Sequence, residues 1–162
     1  MRYLFFDIEC CNGRDICEFG YVITDTEFNI LEKDDFTINP ENRFNLTGRT
    51  DGRDLELYYP YSTYYKSQKF PYFYDRIKEL IEYPDQLIVG HAISNDAGFI
   101  RNACKRYKLG PINFKFADTQ RMYSEFTNFR SSISLETAGE NLNVEKPKYL
   151  HKSDDDSELT MN

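Results

Sequence analysis

The chain opens on a dense apolar and aromatic run, Arg2 to Ile8, with no regular polar alternation, the pattern of a strand buried on both faces of a sheet. Asn12 and Gly13 break it. Phe19 to Thr24 and Phe28 to Ile38, separated by the polar turn Asp25-Thr26-Glu27, predict an antiparallel hairpin that continues the sheet and ends at Asn39-Pro40. Residues 40–66 carry Gly, Asn, Pro and Tyr without periodicity and read as a long loop, a kind of segment that is more often functional than filler. Phe73, Ile77, Leu80 and Ile81 then fall at helical spacing through Tyr83, where Pro84-Asp85 stops the helix. Leu87-Ile88-Val89 is a short buried strand. Phe99, Ile100, Ala103, Cys104 and Tyr107 mark one face of a helix over 95–108, closed by Gly110-Pro111. Phe114 to Asp118 reads as a further strand, Leu135, Ala138 and Leu142 as a helix, and Ser153 onward as a last one. Three strands followed by strands alternating with helices predict an α/β fold with a mixed sheet.

The length of 162 residues fits one domain, 1–162. The last helix is cut at Asn162 after two turns, which fits either a short native end or the front part of a longer polypeptide. With 40% hydrophobic and 29% charged residues, and 13 Tyr and 13 Phe to fill a core, the composition excludes a disordered or collagen-like chain. No stretch approaches the ~20 apolar residues of a membrane span, and Asp7 and Glu9 interrupt the N-terminal run, so neither signal peptide nor anchor is read and a cytoplasmic location is expected. The net charge of -7 excludes a uniformly basic nucleic-acid surface, though not a polyanion held by local basic groups. Cys10, Cys11, Cys17 and Cys104 have no zinc-ligand spacing and read as reduced thiols.

Three acidic motifs are the candidates for chemistry. Asp7 and Glu9 stand two apart on a strand, so their side chains leave the same face and share one small space. Like charges crowded at the end of an apolar strand are costly unless protons or cations compensate, and hard divalent cations with oxygen ligands do so best. A solvated pair of acids at a strand end is the plain alternative. Asp96 lies between a strand ending at Val89 and a helix beginning near Asn95, beside the strand's C-terminal end, where open α/β sheets form ligand crevices; taken alone, an acid in a first helical turn favoured by the macrodipole explains it better. In Tyr149-Leu150-His151-Lys152-Ser153-Asp154-Asp155-Asp156, Ser153 and Asp156 have capping-box spacing, and His151 in the preceding loop is able to accept a proton near neutral pH.

Together, Phe-Phe-Asp7-Ile-Glu9, Gly90-His91-x4-Asp96 and His151-x4-Asp156 resemble, in order and spacing, the three motifs of the DEDDh class of 3′-to-5′ exonucleases, over Met1 to Asn162. Ile16-Cys17-Glu18-Phe19-Gly20, Leu46-Thr47-Gly48, Ala117-Asp118-Thr119 and Asp155-Asp156-x-x-x-Thr160 are supporting matches. The resemblance implies an RNase H-like fold, a five-stranded mixed sheet flanked by helices. It implies a hydrolase that releases nucleoside 5′-monophosphates from the 3′ end of DNA or RNA. Asp7, Glu9, Asp96 and Asp156 would hold two ions of Mg²⁺ or Mn²⁺, with His151 as general base. Cys10-Cys11 replaces the family's usual Thr or Ser and Gly, and Ala92 and Asn95 replace its usual Asn and aromatic residue, departures that bear on substrate preference.

The resemblance places Cys10, Leu46, Thr47 and His91 near the substrate, a single-stranded or frayed 3′ end, where Lys152 is expected too from its place beside His151, and leaves room for a polymerase or an added C-terminal domain as partner. Of the aromatics from Tyr58 to Tyr74, most are expected in the core and one or two at substrate, where a stacked base is worth ~1 to 3 kcal/mol. Lys146, Lys148 and Lys152 bracket His151 as local phosphate guides. A silent binding module on the same fold and an RNase H-type endonuclease are the alternatives; the endonuclease does not account for His151-x4-Asp156.

Overall fold

The structure is a computed structural model that describes residues 1–46, 57–128, 131–149 and 151–162. Strands β1 (Arg2–Cys10), β2 (Ile16–Thr24), β3 (Ile30–Thr37), β4 (Gln86–Gly90) and β5 (Phe116–Asp118) form one mixed sheet in the order β3-β2-β1-β4-β5. β1–β2 and β2–β3 pair antiparallel, and β1–β4 and β4–β5 parallel. Helices α1 (Tyr61–Lys66), α2 (Phe70–Ile81), α3 (Ser94–Arg106), α4 (Thr119–Thr127), α5 (Leu135–Asn141) and α6 (Ser153–Met161) complete the described elements. The α/β class, the mixed five-stranded sheet and the flanking helices are those the RNase H-like resemblance implies. Among the described residues, no helix is long and apolar enough to cross a membrane.

Strand alternation sorts the opening run onto two faces. Leu4, Phe6 and Ile8, with Phe19, Tyr21 and Ile23 of β2, pack against Ile77, Leu80 and Ile81 of α2 and Ile100, Ala103 and Cys104 of α3. On the opposite face Phe5, Val22 and Val89 meet Met161 of α6. Burying one such Phe side chain contributes about 1.5 to 3 kcal/mol. β2 is buried at all nine positions, including Glu18. Gly20 is the close approach that lets α6 lie on the sheet, because a Cβ there would stand 2.1 Å from the Asp154 backbone nitrogen.

Two helices depart from the sequence expectation. Residues 40–66 are not all loop, since they contain α1, and α4 follows β5 directly. α1 buries only Tyr64 and α4 buries no residue, so neither has the apolar stripe that reveals a helix in sequence. α2 begins three residues before Phe73, with Pro71 in its first turn, where a missing N–H is harmless. All four cysteines are free thiols, and Cys11, Cys17 and Cys104 are buried.

Candidate active site

Asp7 and Glu9 leave β1 on the face of Phe5, the face that α6 covers, at the strand's C-terminal end. The third acid arrives through a tight turn after β4. At Gly90 a Cβ would stand 2.7 Å from the Ile93 side chain, so the chain folds back closely there. Ala92 adopts the left-handed conformation at φ 53. The Asp118 side chain holds that strained residue by accepting the Ala92 N–H at 3.0 Å. α3 then starts at Ser94, with Asp96 in its first turn and only 5% exposed.

The fourth acid comes with α6. Asp156 lies in its first turn, 8% exposed, and accepts the His151 backbone N–H at 3.2 Å. His151 is itself left-handed, at φ 61, a conformation His tolerates better than most residues. A carboxylate oxygen of Glu9, a ring nitrogen of His151 and a carboxylate oxygen of Asp156 all lie within 4.8 Å of one another.

Asp7 ties this trio to Asp96 electrostatically. Burial pushes its carboxyl well above the usual range, and Asp96 and Glu18 push further, while the Ile8 amide pulls the other way. Asp96 is pushed up to about 7, chiefly by burial, with repulsion from Asp118 added and backbone amides opposing. Asp156 is pushed up to about 8, by burial and then by Asp7, with the His151 amide opposing. The five residues singled out in sequence therefore meet in one place, and three of them share negative charge that their surroundings disfavour. A set of carboxylate oxygens beside one imidazole suits hard divalent cations of the Mg²⁺ or Mn²⁺ kind, so the residues present fit a metal centre.

The secondary candidates fall differently. Both ring nitrogens of His91 are engaged, Nδ1 at 3.0 Å from Thr119 Oγ1 and Nε2 at 2.8 Å from the Ile133 carbonyl. His91 thus clamps the turn before Asp96 to the start of α4. Lys152 Nζ is held between Asp35 at 3.0 Å and Asp154 at 2.6 Å, and Lys146 between Glu136 and Glu140. Of the lysines bracketing His151, Lys148 instead lies 4.9 Å from the Tyr149 ring centroid. Cys10 is half-buried against the main core, its thiol pushed up by burial and by Glu9. Leu46 is half-buried, and Thr47 and Gly48 lie outside the described residues. Among the aromatics, Tyr64 and Phe70 are buried and Phe73 packs on the core, while Tyr58, Tyr61, Tyr65 and Tyr72 are exposed.

One expectation is corrected. Ser153 is not the N-cap of α6: Lys152 holds that position, with no side-chain cap, and Ser153 is the first helical residue. Its hydroxyl and N–H turn to a carboxylate from the sheet, donating to Glu18 Oε1 at 2.7 and 2.8 Å. Glu18 was legible only as part of a supporting match. The signal for its importance is the acid itself, set in the otherwise apolar Ile16-Cys17-Glu18-Phe19-Gly20, since a charge buried in a central strand requires partners.

A family model described as an exonuclease, of the RNase T type, matches residues 4–162. Solved structures share the fold. One shows 3′-end-specific recognition of a histone mRNA stem-loop by a 3′-exonuclease, with TM-score 0.75 and 13% identity, over 99% of this chain and 61% of that one. Exonuclease I of E. coli in complex with a dT13 oligonucleotide gives TM-score 0.70 and 19% identity over 99% and 39%. The nuclease domain of 3′hExo, a DEDDh family member bound to rAMP, gives 0.72 and 20% over 99% and 86%. The chain thus spans 61% and 39% of the first two of these proteins. No curated protein matches it significantly by sequence.

Proposed function

We infer that this chain, which belongs to the RNase T-type exonuclease family, is a metal-dependent 3′-to-5′ exonuclease that removes nucleoside 5′-monophosphates from DNA or RNA ends. The observation that carries the reading is the meeting of Asp7, Asp96 and Asp156, each raised by burial or by its neighbours, beside the Glu9, His151 and Asp156 cluster. Such a concentration of unfavourable charge is maintained in a fold for what binds it.

Asp7, Glu9, Asp96 and Asp156 would hold two divalent ions, with Glu9 and Asp156 serving the one that activates water, Asp96 serving the other directly or through water, and Asp7 shared between them. Bound there, the ions supply the positive charge that admits a phosphodiester and eases both attack by water and departure of the 3′ oxygen. His151 accepts the proton of the attacking water, a role worth ~10² to 10⁴ in rate. Asp156, by accepting the His151 N–H, fixes the loop from which that imidazole projects.

The substrate is a single-stranded or frayed 3′ end. Tyr58 and Tyr149, 40% and 38% exposed with ring centroids 4.9 Å apart, stand beside the loop of His151 and offer faces to unpaired bases. Lys152 Nζ lies 5.6 Å from the Tyr58 ring and holds that ring's place, its own charge being taken up by Asp35 and Asp154. The relatives captured with a dT13 oligonucleotide and a histone mRNA stem-loop support a 3′-end substrate and leave both sugars open.

A time course on 3′-labelled and 5′-labelled DNA and RNA strands, with Mg²⁺, Mn²⁺ or EDTA, tests the reading. Stepwise release of mononucleotides from the 3′ end, only with metal, is expected. Internal cuts, or binding without cleavage, would replace it with an endonuclease or a silent module.

A further inference from the structure

Resting on the nuclease reading of the site, we propose that Glu18 is its positioning residue, the sheet-borne cap that fixes the start of α6 and with it His151 and Asp156. Glu18 is the third residue of β2, a strand flanked by β1 and β3, and is 0% exposed. It lies opposite Glu9 in the antiparallel register, so the two acids rise from neighbouring strands on one face. A carboxylate placed so close to Asp7, Glu9 and Asp156 adds to a repulsion the site already carries. Its retention requires a function that offsets this, and its hydrogen bonds identify one.

Oε1 accepts both the N–H and the hydroxyl of Ser153, at 2.8 and 2.7 Å, and Oε2 accepts the Tyr64 hydroxyl at 2.8 Å. These donors take up Oε1 and anchor Oε2, so the group is committed to the protein rather than offered to a ligand. Ser153 opens α6, where backbone N–H groups have no partner within the helix and the dipole favours an anion. Because Lys152 supplies no side-chain cap, the cap comes instead from a strand that Ser153 reaches across 135 residues of sequence. His151 stands two residues before Ser153 and Asp156 three after it. Pinning Ser153 to β2 therefore sets both of them against Glu9 and Asp7 on β1. Tyr64 completes the device by fixing the carboxylate from the side of α1.

The test compares Glu18→Gln, Glu18→Ala and Ser153→Ala with the wild-type chain. It uses kcat and KM on a single-stranded oligonucleotide, and Mn²⁺ binding followed by the EPR signal of free Mn²⁺. Glu18→Gln retains an oxygen for Ser153, and pairing it with Tyr64→Phe removes the hydroxyl that would lose its acceptor. Loss of position on the order of 1 Å lowers turnover by about 10²-fold. Glu18→Ala should therefore lower kcat by about that factor, with KM within about 3-fold and Mn²⁺ bound more weakly. Glu18→Gln with Tyr64→Phe should recover kcat to at least about a tenth of wild type, and Ser153→Ala should fall between.

A Gln variant as damaged as the Ala variant would overturn the proposal, because the charge itself and not the cap would then matter. So would a folded Glu18→Ala that keeps wild-type kcat. If Glu18→Ala does not fold, Ser153→Ala decides, and unchanged kcat and Mn²⁺ affinity there would overturn it. If the wild-type chain cleaves nothing, the nuclease reading fails by itself. The cap is then judged on Mn²⁺ affinity alone, supported by loss in Glu18→Ala with recovery in the Gln variant and overturned by equal affinities.

Discussion

Adding one methyl group at Gly20 should disable the site without touching any residue in it. In β2 this position lies opposite Asp7, and α6 crosses directly above it. A Cβ built there stands 2.1 Å from the Asp154 nitrogen and 2.3 Å from both the Ser153 carbonyl carbon and its Oγ. Ordinary contact begins near ~3.5 Å, so the first turn of α6 must retreat by about 1.4 Å, and two of the three obstructing atoms are backbone that no rotamer change can move. That retreat carries His151 and Asp156 away from Glu9, and it stretches the Ser157 Oγ bond to the Gly20 carbonyl, now 3.2 Å. A misplacement of this size costs on the order of 10²-fold in rate, and overpacking a buried contact costs about 1 to 3 kcal/mol of stability. Gly20→Ala should thus fold with a lowered Tm and show kcat about 10²-fold down, with KM little changed. Circular dichroism melting beside exonuclease kinetics measures both effects. A variant with wild-type turnover would refute the account of how α6 is placed.

Three further outcomes follow from the site. His151→Ala should lower kcat by about 10² to 10⁴ while Mn²⁺ still binds, and unchanged turnover would remove His151 from the mechanism. Because the folded-state carboxyls of Asp7, Asp96 and Asp156 are raised above their unfolded values, the stability they contribute is full below pH ~4 and is lost as pH rises through about 7 and 8. Melting in EDTA should therefore show Tm falling from pH 5 to 8, with Mg²⁺ or Mn²⁺ restoring it at the upper end; a Tm that rises over this range in EDTA would contradict the charge assignment. Tyr58→Ala and Tyr149→Ala should each raise KM for a single-stranded oligonucleotide by about 5-fold or more, the equivalent of ~1 kcal/mol of lost stacking, with kcat near wild type. Unchanged KM in both would place the bases elsewhere.

The acids and the imidazole stood out because three motifs occur in the order and spacing of the DEDDh family, each alone being open to a plainer reading, and short-range geometry says only which face or turn carries each. Two residues apart on a strand means one face, and an acid just after a strand or just inside a helix has its location set by the element that carries it. The supporting frame was not legible in that way. Glu18 reaches Ser153 across 135 residues, and Asp118 reaches Ala92 across 26, and no local pattern specifies such pairs. The capping-box spacing of Ser153 and Asp156 misled for the same reason, since the helix took its cap from another strand. α1 and α4 escaped notice because they bury one residue and none, which leaves no periodic stripe to read. His91 was expected near substrate, yet its imidazole serves the turn before Asp96, a distinction that depends on Thr119 and Ile133 folding back to it.

The placing of the acids explains why the frame is so heavily braced. Asp96 and Asp156 both occupy first turns of helices, where each macrodipole offsets part of their charge, whereas Asp7 and Glu9 end a strand and have no such help. Repulsion among them tends to drive α6 off the sheet, and α6 adds Asp154 and Asp155 to the same turn. Opposing contacts come from the hairpin. Lys33 of β3 pairs with Asp155 and Glu158, Lys152 bridges Asp154 to Asp35 of β3, and Glu18 caps the helix start from β2. The two extra acids of α6 thus act as anchors to the hairpin and not as ligands. The helix is held by charges on its outer side while its inner side carries the charge that a cation must neutralise, so loading the site with divalent metal should tighten the same helix that the hairpin already restrains.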